Sequence, residues 1–261
     1  MRILVTFAVD AEFAPWRKRR FFNRIDYQGL HLWRTDAGQN EITVLLTGIG
    51  EQAAALAMDL MLQMADSEKH FDVCISSGLA GALQASLTPG DIIAPRLIRT
   101  AFQYADLKSD SLVVDEELQK LALGAGAKAT DCLFTSDQML LTAKQKGECS
   151  SKAQSVDMES FEIVKTACAW GARSVVLRAV SDSAGENLPI DFSLTLSKRS
   201  HVSVSKVIFQ LAKNPTALPA LIRFGRQSRQ AAEALANFLD SYISKLSDVH
   251  LDSASRSMAG K

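Results

Sequence analysis

The sequence of 261 residues has few of the features that mark fibrous, disulfide-linked or membrane-embedded proteins. Its four cysteines, six prolines and 14 glycines are too few for a disulfide scaffold or a linker-rich chain. Lysine plus arginine and aspartate plus glutamate both number 29, so no excess charge is present to bind nucleic acid or an anionic membrane. No apolar run is long enough to span a bilayer. We therefore expect a globular domain with no nucleic-acid partner and no membrane span.

The cysteines and histidines form no local metal or redox motif. They are widely separated, at Cys74, Cys132, Cys149 and Cys168 and at His31, His70, His201 and His250. No CxxC pair occurs, and Cys74 and Cys168 lie in apolar segments typical of buried free thiols. This pattern predicts a protein of the reducing cytoplasm with no metal site and no cofactor.

Apolar runs typical of buried strands alternate with segments of helical periodicity. The runs lie at residues 2–9, 42–47, 71–76 and 173–180, and the helical segments at 51–65 and 157–170. This alternation predicts an α/β fold, a single domain in which helices flank a central mixed β-sheet.

Further elements complete the predicted domain. Residues 29–35 and 41–47 flank a polar turn typical of an antiparallel hairpin, and residues 91–99 add a strand. After Pro189 the pattern predicts helices at 194–212 and 216–245. We expect one domain over residues 1–245, with a helical extension at about 194–245, and a flexible polar tail at 246–261.

Four short stretches have residues suited to binding or catalysis, and each has a structural alternative. They are residues 47–50 (TGIG), 76–82 (SSGLAGA), 156–160 (VDMES) and 179–184 (AVSDSA). The first two predict glycine-rich or small-residue loops, which either approach a ligand or only allow tight packing. The acids of the third either bind a ligand or favour a helix N-terminus. Asp182 in the fourth either acts on a ligand or caps a turn.

Taken in order, these and neighbouring motifs resemble the purine nucleoside phosphorylase and nucleosidase superfamily. The motifs are GIG at 48–50, SGLAG at 77–81, PGD at 89–91, SDQ at 136–138, VDME at 156–159 and SDSA at 181–184. The likeness covers residues 1 to about 192 and is greatest to the 5′-methylthioadenosine/S-adenosylhomocysteine nucleosidases and the related hopanoid-associated phosphorylases. The tail at 218–239 resembles the hopanoid-associated phosphorylases, which act on adenosylhopane. The resemblance implies a three-layer α/β domain and an enzyme that cleaves a ribosyl N-glycosidic bond.

The resemblance also implies roles for three acids. Asp182 matches the aspartate that donates toward purine N7, which helps the base to leave. Glu12 matches the carboxylate that activates the attacking water, although the preceding residues AVDA depart from the family's usual run of acids. Glu159 matches the glutamate that accepts hydrogen bonds from the ribose 2′ and 3′ hydroxyls. If Glu12 instead pointed into solvent, the hydrolytic interpretation would weaken.

The remaining implied substrate-binding residues line the sugar and the base. Met158 would lie against the ribose, although a core methionine is a close alternative. Met139 and Leu140 occupy a position where the nucleosidases usually place an aromatic residue, and Leu79 one where many members have a small polar residue. Gly81 and Phe192 complete the implied set.

The sequence favours hydrolysis over phosphorolysis. A phosphate nucleophile needs converging cationic groups, and the 76–78 segment has no neighbouring arginine. Residues 17–20 (RKRR) and Arg34 are either a phosphate clamp or a solvated basic face. We expect a purine nucleoside substrate, water or phosphate as co-substrate, and a homodimer. A non-catalytic nucleoside-binding module is the alternative from another class.

Overall fold

A computed structural model of the protein describes residues 1–65, 70–100, 111–189 and 218–259. The predicted helix at 194–212 and the candidate residue Phe192 lie outside these residues. The described strands are β1 (Arg2–Phe7), β2 (Asn23–Tyr27), β3 (Leu30–Ala37), β4 (Asn40–Leu46), β5 (Val73–Ala82), β6 (Ile92–Thr100), β7 (Ser111–Val113), β8 (Lys128–Thr135), β9 (Ser155–Asp157) and β10 (Arg173–Asp182). The described helices are α1 (Asp10–Arg17), α2 (Glu51–Ala65), α3 (Glu116–Gly124), α4 (Ala143–Cys149), α5 (Ser160–Ala169) and α6 (Leu218–Ala259).

The strands form one mixed sheet, part of which closes on itself. Strands β4, β1, β5 and β10 are parallel neighbours at its centre, and β2 and β3 extend one edge as antiparallel strands. From β10 the sheet continues through β6, β8 and β9 and returns to β5. The carboxyl ends of β1, β5 and β10 therefore lie side by side, the edge at which α/β sheets bind ligands.

Helices cover both faces of the sheet, which confirms the predicted α/β architecture. Alternate residues of β1 belong to different cores, because side chains of a strand point to opposite faces. Ile3, Val5 and Phe7 pack with α1, α3 and α6. Leu4 packs with α2 and α5.

The 76–82 segment is a strand and not the predicted small-residue loop. Residues 76–81 continue β5 because they pair in parallel with β10, and Gly81 and Ala82 also pair with β9. The small side chains match a position between two strands in the closed part of the sheet. The prediction of a loop here is wrong because small residues were taken as a break in pairing.

Helices α1 and α6 differ from the sequence expectations in their extent. Helix α1 begins at Asp10, directly after β1, where the sequence predicts no helix. Helix α6 continues to Ala259, past residue 245, where the predicted tail begins. The flexibility of that tail stays a prediction. Trp16 of α1 and Arg20, which follows α1, both contact α6: their side-chain nitrogens lie 2.8 and 2.7 Å from Asp240 Oδ1.

Candidate active site

A cavity of about 790 Å³ opens at the carboxyl ends of β1, β5 and β10. Its wall includes eight of the residues singled out in the sequence: Glu12, Leu79, Gly81, Met139, Leu140, Met158, Glu159 and Asp182. Residues of α1 and α6 line its outer part. Segments that are up to 170 positions apart in the chain, from Glu12 to Asp182, thus share one cavity.

A buried cation lies behind the cavity wall, next to carboxylates that line the cavity. We call this group the Arg178 cluster; it comprises Arg178, Ser76, Ser160, Asp157, Glu159 and Glu12. The Arg178 guanidinium, on β10, is about 1% exposed, and its Nη2 lies 2.7 Å from Asp157 Oδ2 and 2.9 Å from Ser160 Oγ. A buried arginine is stable only when its charge is paired in this way.

Gly78 leaves the space that the guanidinium occupies. A Cβ atom at this position would lie 2.5 Å from Arg178 Nη1 and 3.0 Å from Glu12 Oε2. The backbone φ of +137° is also one that residues with a side chain rarely adopt. Glycine at this point of β5 therefore lets Arg178 and Glu12 approach each other.

Glu12 points into the cavity region and not into solvent. Its Oε2 accepts from the Ala8 amide at 2.9 Å and the Val9 amide at 3.4 Å, and its Oε1 accepts from the Leu79 amide at 3.0 Å. Burial raises the pKa of Glu12 above its ordinary value, an effect that Arg178 and the amides partly oppose. A carboxylate has about four acceptor positions, so three amides leave capacity for a proton from a bound molecule.

Glu159 comes from the other side of the same cavity. It stands at the N-cap position of α5, yet its side chain does not cap the helix; Oε1 accepts from the Gly50 amide at 2.8 Å. Its Oε2 lies 3.9 Å from Arg178 Nη2. Burial, opposed by Arg178, raises the pKa of Glu159 to about 8. A carboxylate held in this way can accept hydrogen bonds from paired hydroxyl groups.

Asp157 has the structural role that was the alternative for this motif. Its Oδ2 accepts from the Ser160 amide at 3.2 Å in the first turn of α5, and its Oδ1 accepts from Thr135 Oγ1 at 2.8 Å. Together with the contact to Arg178, these bonds use both of its oxygens. Asp157 fixes Arg178 and α5, which leaves Glu159 to face the cavity.

A second buried ion pair lies at the end of β10. We call this the Lys146 cluster; it comprises Lys146, Ser181, Asp182, Ser183 and Glu186. Lys146 Nζ, on α4, is 2.5 Å from Asp182 Oδ2 and donates to the Ser183 and Glu186 carbonyls at 2.8 and 2.9 Å. The other carboxylate oxygen, Oδ1, accepts from Ser181 Oγ. The three protons of the ammonium thus have three partners.

A β-bulge directs Asp182 toward the cavity. Along β10, Val180 pairs with Ala80 and Asp182 with Gly81, so Ser181 is an extra residue on this strand. A Cβ atom on Gly81 would lie 3.1 Å from Asp182 Oδ2. Gly81 thus allows the close approach of the carboxylate, which is a positional reason for the glycine that the sequence singled out.

Comparisons with known proteins agree with this geometry. The sequence profile of the phosphorylase superfamily matches residues 2–244. A 5′-methylthioadenosine/S-adenosylhomocysteine nucleosidase of Glaesserella parasuis is 27% identical over 205 residues, which cover 71% of this chain and 86% of that protein. One of Staphylococcus saprophyticus is 26% identical over 193 residues, or 66% and 82% of the two chains.

The chain belongs to the phosphorylase superfamily. This confirms the superfamily and the fold expected from the sequence, and with them an enzyme of the nucleosidase or nucleoside phosphorylase class. Cleavage of a nucleoside N-glycosidic bond is the class of reaction that the membership and the curated relatives support.

Solved structures of two other proteins share the fold of this chain at low identity. The 5′-methylthioadenosine/S-adenosyl homocysteine nucleosidase of Helicobacter pylori has a TM-score of 0.72 at 18% identity, over 94% of this chain and 98% of that one. Futalosine hydrolase of the same organism has a TM-score of 0.71 at 18% identity, over 94% and 98%. Proteins with different named substrates thus share this fold, so the fold does not fix the substrate.

Most of the basic residues considered as a phosphate clamp have acidic or polar partners. Arg17 makes two bonds to Asp10, of 2.6 and 3.2 Å, and Arg34 Nε lies 3.5 Å from Glu41. Arg20 is bound to Asp240 and Arg19 to Asn237, both on α6. Lys18 and Arg19 line the outer cavity. Within the described residues, no group of histidine, cysteine, aspartate and glutamate side chains could hold a metal ion.

Sequence reasoning missed the two buried cations. Arg178 had a detectable signal, because a charge within the apolar run 173–180 must be paired when the strand is buried. Lys146 had none, since AKQKGEC at 143–149 shows no apolar face that would mark a buried position. No helix among the residues described is both long enough and apolar enough to cross a bilayer.

Proposed function

We propose that the protein hydrolyses the N-glycosidic bond of a 5′-modified adenosine and releases adenine. The observation that carries this proposal is the meeting of Glu12, Glu159 and Asp182 in one cavity. The two curated relatives named as 5′-methylthioadenosine/S-adenosylhomocysteine nucleosidases support this substrate class.

The Arg178 cluster suits the sugar and the nucleophile. Breaking the bond from C1′ to N9 leaves cationic character on the ribose, which nearby carboxylates stabilise. Glu159 would hold the 2′ and 3′ hydroxyls, and Met158, which also lines the cavity, would cover the sugar. Glu12 would take a proton from the attacking water, and burial, which raises the pKa of Glu12, makes its carboxylate a stronger base for this step.

The Lys146 cluster suits the leaving purine. The departing base receives the electron pair of the broken bond, so a proton placed at N7 allows it to leave as neutral adenine. Asp182 is the group proposed to face N7. Met139, Leu140 and Leu79 supply apolar cavity walls for the base.

Charge around the nucleophile favours water over phosphate. Three carboxyl groups surround the one guanidinium of this cluster: Asp157 at 2.7 Å, Glu159 at 3.9 Å, and Glu12, which lies against Gly78. In their ionised forms these groups would repel a phosphate dianion. The engagement of Arg17 and Arg20 by acids supports the same conclusion.

A second candidate is phosphorolysis of an adenosine with a large apolar 5′ substituent, such as adenosylhopane. An apolar extension of the cavity between α1 and α6 favours it. This extension is lined by Ala11, Ala14, Pro15, Leu221, Phe224 and Gly225. Lys18 and Arg19 line the same region and are the cations that phosphate would require.

Release of adenine from methylthioadenosine, with and without phosphate, tests these candidates. We expect release without phosphate. Release of adenine only in the presence of phosphate would show that the protein is a phosphorylase. If no nucleoside released its base, the protein would be a non-catalytic nucleoside-binding module. A 5′-alkyl adenosine series distinguishes the substrates: a kcat/KM that rises steadily with alkyl length favours the large apolar substituent.

We also propose the cytoplasm as the compartment and a homodimer as the assembly. The four cysteines are free thiols, which supports a reducing compartment. Light scattering at micromolar concentration tests the dimer, and a monomer there would contradict it.

A further inference from the structure

The proposed role of Asp182 at the purine does not explain why Lys146 is buried beside it. Lys146 is 1% exposed, and burying an ammonium group is costly unless the group is fully paired. Replacement of both partners of such a buried pair by apolar residues is often neutral or favourable for folding, so stability alone does not explain why the pair is present. Lys146 also lines the cavity, next to the carboxylate proposed to face the purine.

We propose that Lys146 is a positioning residue that supplies the proton which Asp182 passes to the leaving purine. This inference rests on the proposed function. The ammonium is held by the Ser183 and Glu186 carbonyls, with its third proton aimed at Asp182 Oδ2 at 2.5 Å. A proton that moves along this bond has only a short distance to travel.

The proposed transfers balance in atoms and charge. The bond from C1′ to N9 breaks, and its electron pair goes to the purine. Asp182 gives a proton to N7 while Lys146 gives one to Asp182, which leaves neutral adenine and a neutral amine. The attacking water bonds to C1′ and gives its proton to Glu12. Return of that proton through solvent to Lys146 restores the starting state.

The pair explains how a proton stays available at neutral and alkaline pH. In short peptides the pKa of aspartic acid is about 4 and that of lysine about 10. An isolated carboxyl group therefore has to take its proton from solvent, and the proton becomes scarcer as pH rises. A lysine and carboxylate pair brings its own proton. Arginine could not do this, because it does not release its proton in proteins.

The test is the pH dependence of kcat/KM for adenine release by the parent and by Lys146→Met, expressed as their ratio. The other charged groups around the cavity are the same in both proteins and cancel in the ratio. They are Glu12, Glu159, Lys18, Arg19, the Arg178–Asp157 pair, the Glu186–Arg223 pair and the Arg229–Glu233 pair. We expect variant activity within about tenfold of the parent near pH 5.5. The ratio should then fall by about tenfold per pH unit on the alkaline side.

Controls separate proton supply from a structural role. Lys144→Met removes an exposed lysine from the same helix and should leave the ratio at 1 throughout. If Lys146→Met does not fold, as judged by circular dichroism, Lys146→Gln retains a donor for a carbonyl and has no proton to supply. A ratio that is reduced but constant from pH 5.5 to 9 would overturn the inference. Failure of the parent to release adenine would overturn the proposed function itself, and this inference with it.

Discussion

The two buried clusters of the cavity both place a cation against a carboxylate, but they use different cations. Arg178 lies against Asp157, and Lys146 lies against Asp182. A guanidinium stays charged in a protein, so Arg178 is a permanent charge that organises its neighbours. An ammonium can release a proton when its surroundings favour it. The comparison therefore concerns the cations: Arg178 is a fixed charge at one end of the cavity, and Lys146 is the proposed proton supply at the other.

The clusters also differ in what holds them. Arg178 contacts side chains from β5, β9 and α5, so its position depends on the assembled sheet. Lys146 is held by carbonyls of the segment directly after β10. Removal of one partner of a buried pair typically costs about 3–5 kcal/mol of folding free energy. We expect substitution of Arg178 to destabilise the whole sheet, and substitution of Lys146 to destabilise mainly the segment that follows β10.

The largest expected effect at the Arg178 cluster is that of Glu12→Gln. Glutamine cannot take a proton from water, so hydrolysis should be abolished while adenine binding, measured by calorimetry, stays largely intact. The amide must also face a backbone donor, with a cost in stability of about 1–3 kcal/mol. Asp10→Asn is the matched control, since Asp10 is on the same helix and bonds to Arg17. Equal loss of hydrolysis and adenine binding would instead identify Glu12 as a helix-capping residue only.

The next effect probes the Lys146 cluster. Asp182→Asn should lower kcat by about 10²-fold or more, the usual scale for loss of a general acid. Asparagine preserves the shape and an acceptor for Lys146 but leaves the buried ammonium without its anionic partner, so the melting temperature should also fall, by the equivalent of up to about 3–5 kcal/mol. Steady-state kinetics with methylthioadenosine measures the loss. A turnover within a few-fold of the parent would remove Asp182 from the mechanism and with it the assigned contrast between the clusters.

The sequence sufficed where a residue pattern has one structural meaning. Buried parallel strands need continuous apolar runs, and these located β1, β4 and β10. The motifs around Glu12, Glu159 and Asp182 led to residues that do share a cavity. Their catalytic roles remain proposals.

The sequence was insufficient where the structural role of a residue depends on partners that are far away in the chain. Small residues at 76–82 look like a loop until β9 and β10 are known to pair with them. The sequence leaves open whether the basic residues at 17–20 form an anion site, because Asp240, the partner of Arg20, lies more than 200 positions away in the chain. Lys146 is unremarkable in sequence because its burial comes from the segment after Asp182.

A third prediction, for the Arg178 cluster, concerns the pH dependence of kcat/KM and of stability. Burial raises the pKa of Glu159 to about 8 from an ordinary value of 4.5. If the carboxylate must be ionised, kcat/KM falls about tenfold per pH unit as pH drops below about 8. The folded state then binds more protons than the unfolded state. The stability contribution of Glu159 is therefore full below about 4.5 and is lost as pH rises through about 8.

A buried carboxyl group elsewhere provides the control for that profile. Burial raises the pKa of Glu51 to about 7, and Glu51 accepts from Thr100 without lining the cavity. Glu51→Gln should change the pH dependence of thermal unfolding and leave the profile of kcat/KM where it was. A profile that moves with Glu51→Gln would mean that global stability, and not the Arg178 cluster, sets the acidic limb.

The smallest expected effect distinguishes the two partners of Asp182. Ser181→Ala removes one hydrogen bond to the carboxylate oxygen Oδ1, which is worth about 1.5–3 kcal/mol of stability. Because this bond only helps to orient Asp182, kcat/KM should fall only about two- to tenfold. Lys146 remains on Oδ2 and continues to orient the carboxylate. Ser183→Ala is the matched control, because Ser183 contributes its backbone carbonyl to Lys146. A loss as large as that of Asp182→Asn would mean that the bulge serine, and not the buried lysine, governs the carboxylate, and the proton supply assigned to the Lys146 cluster would lose its support.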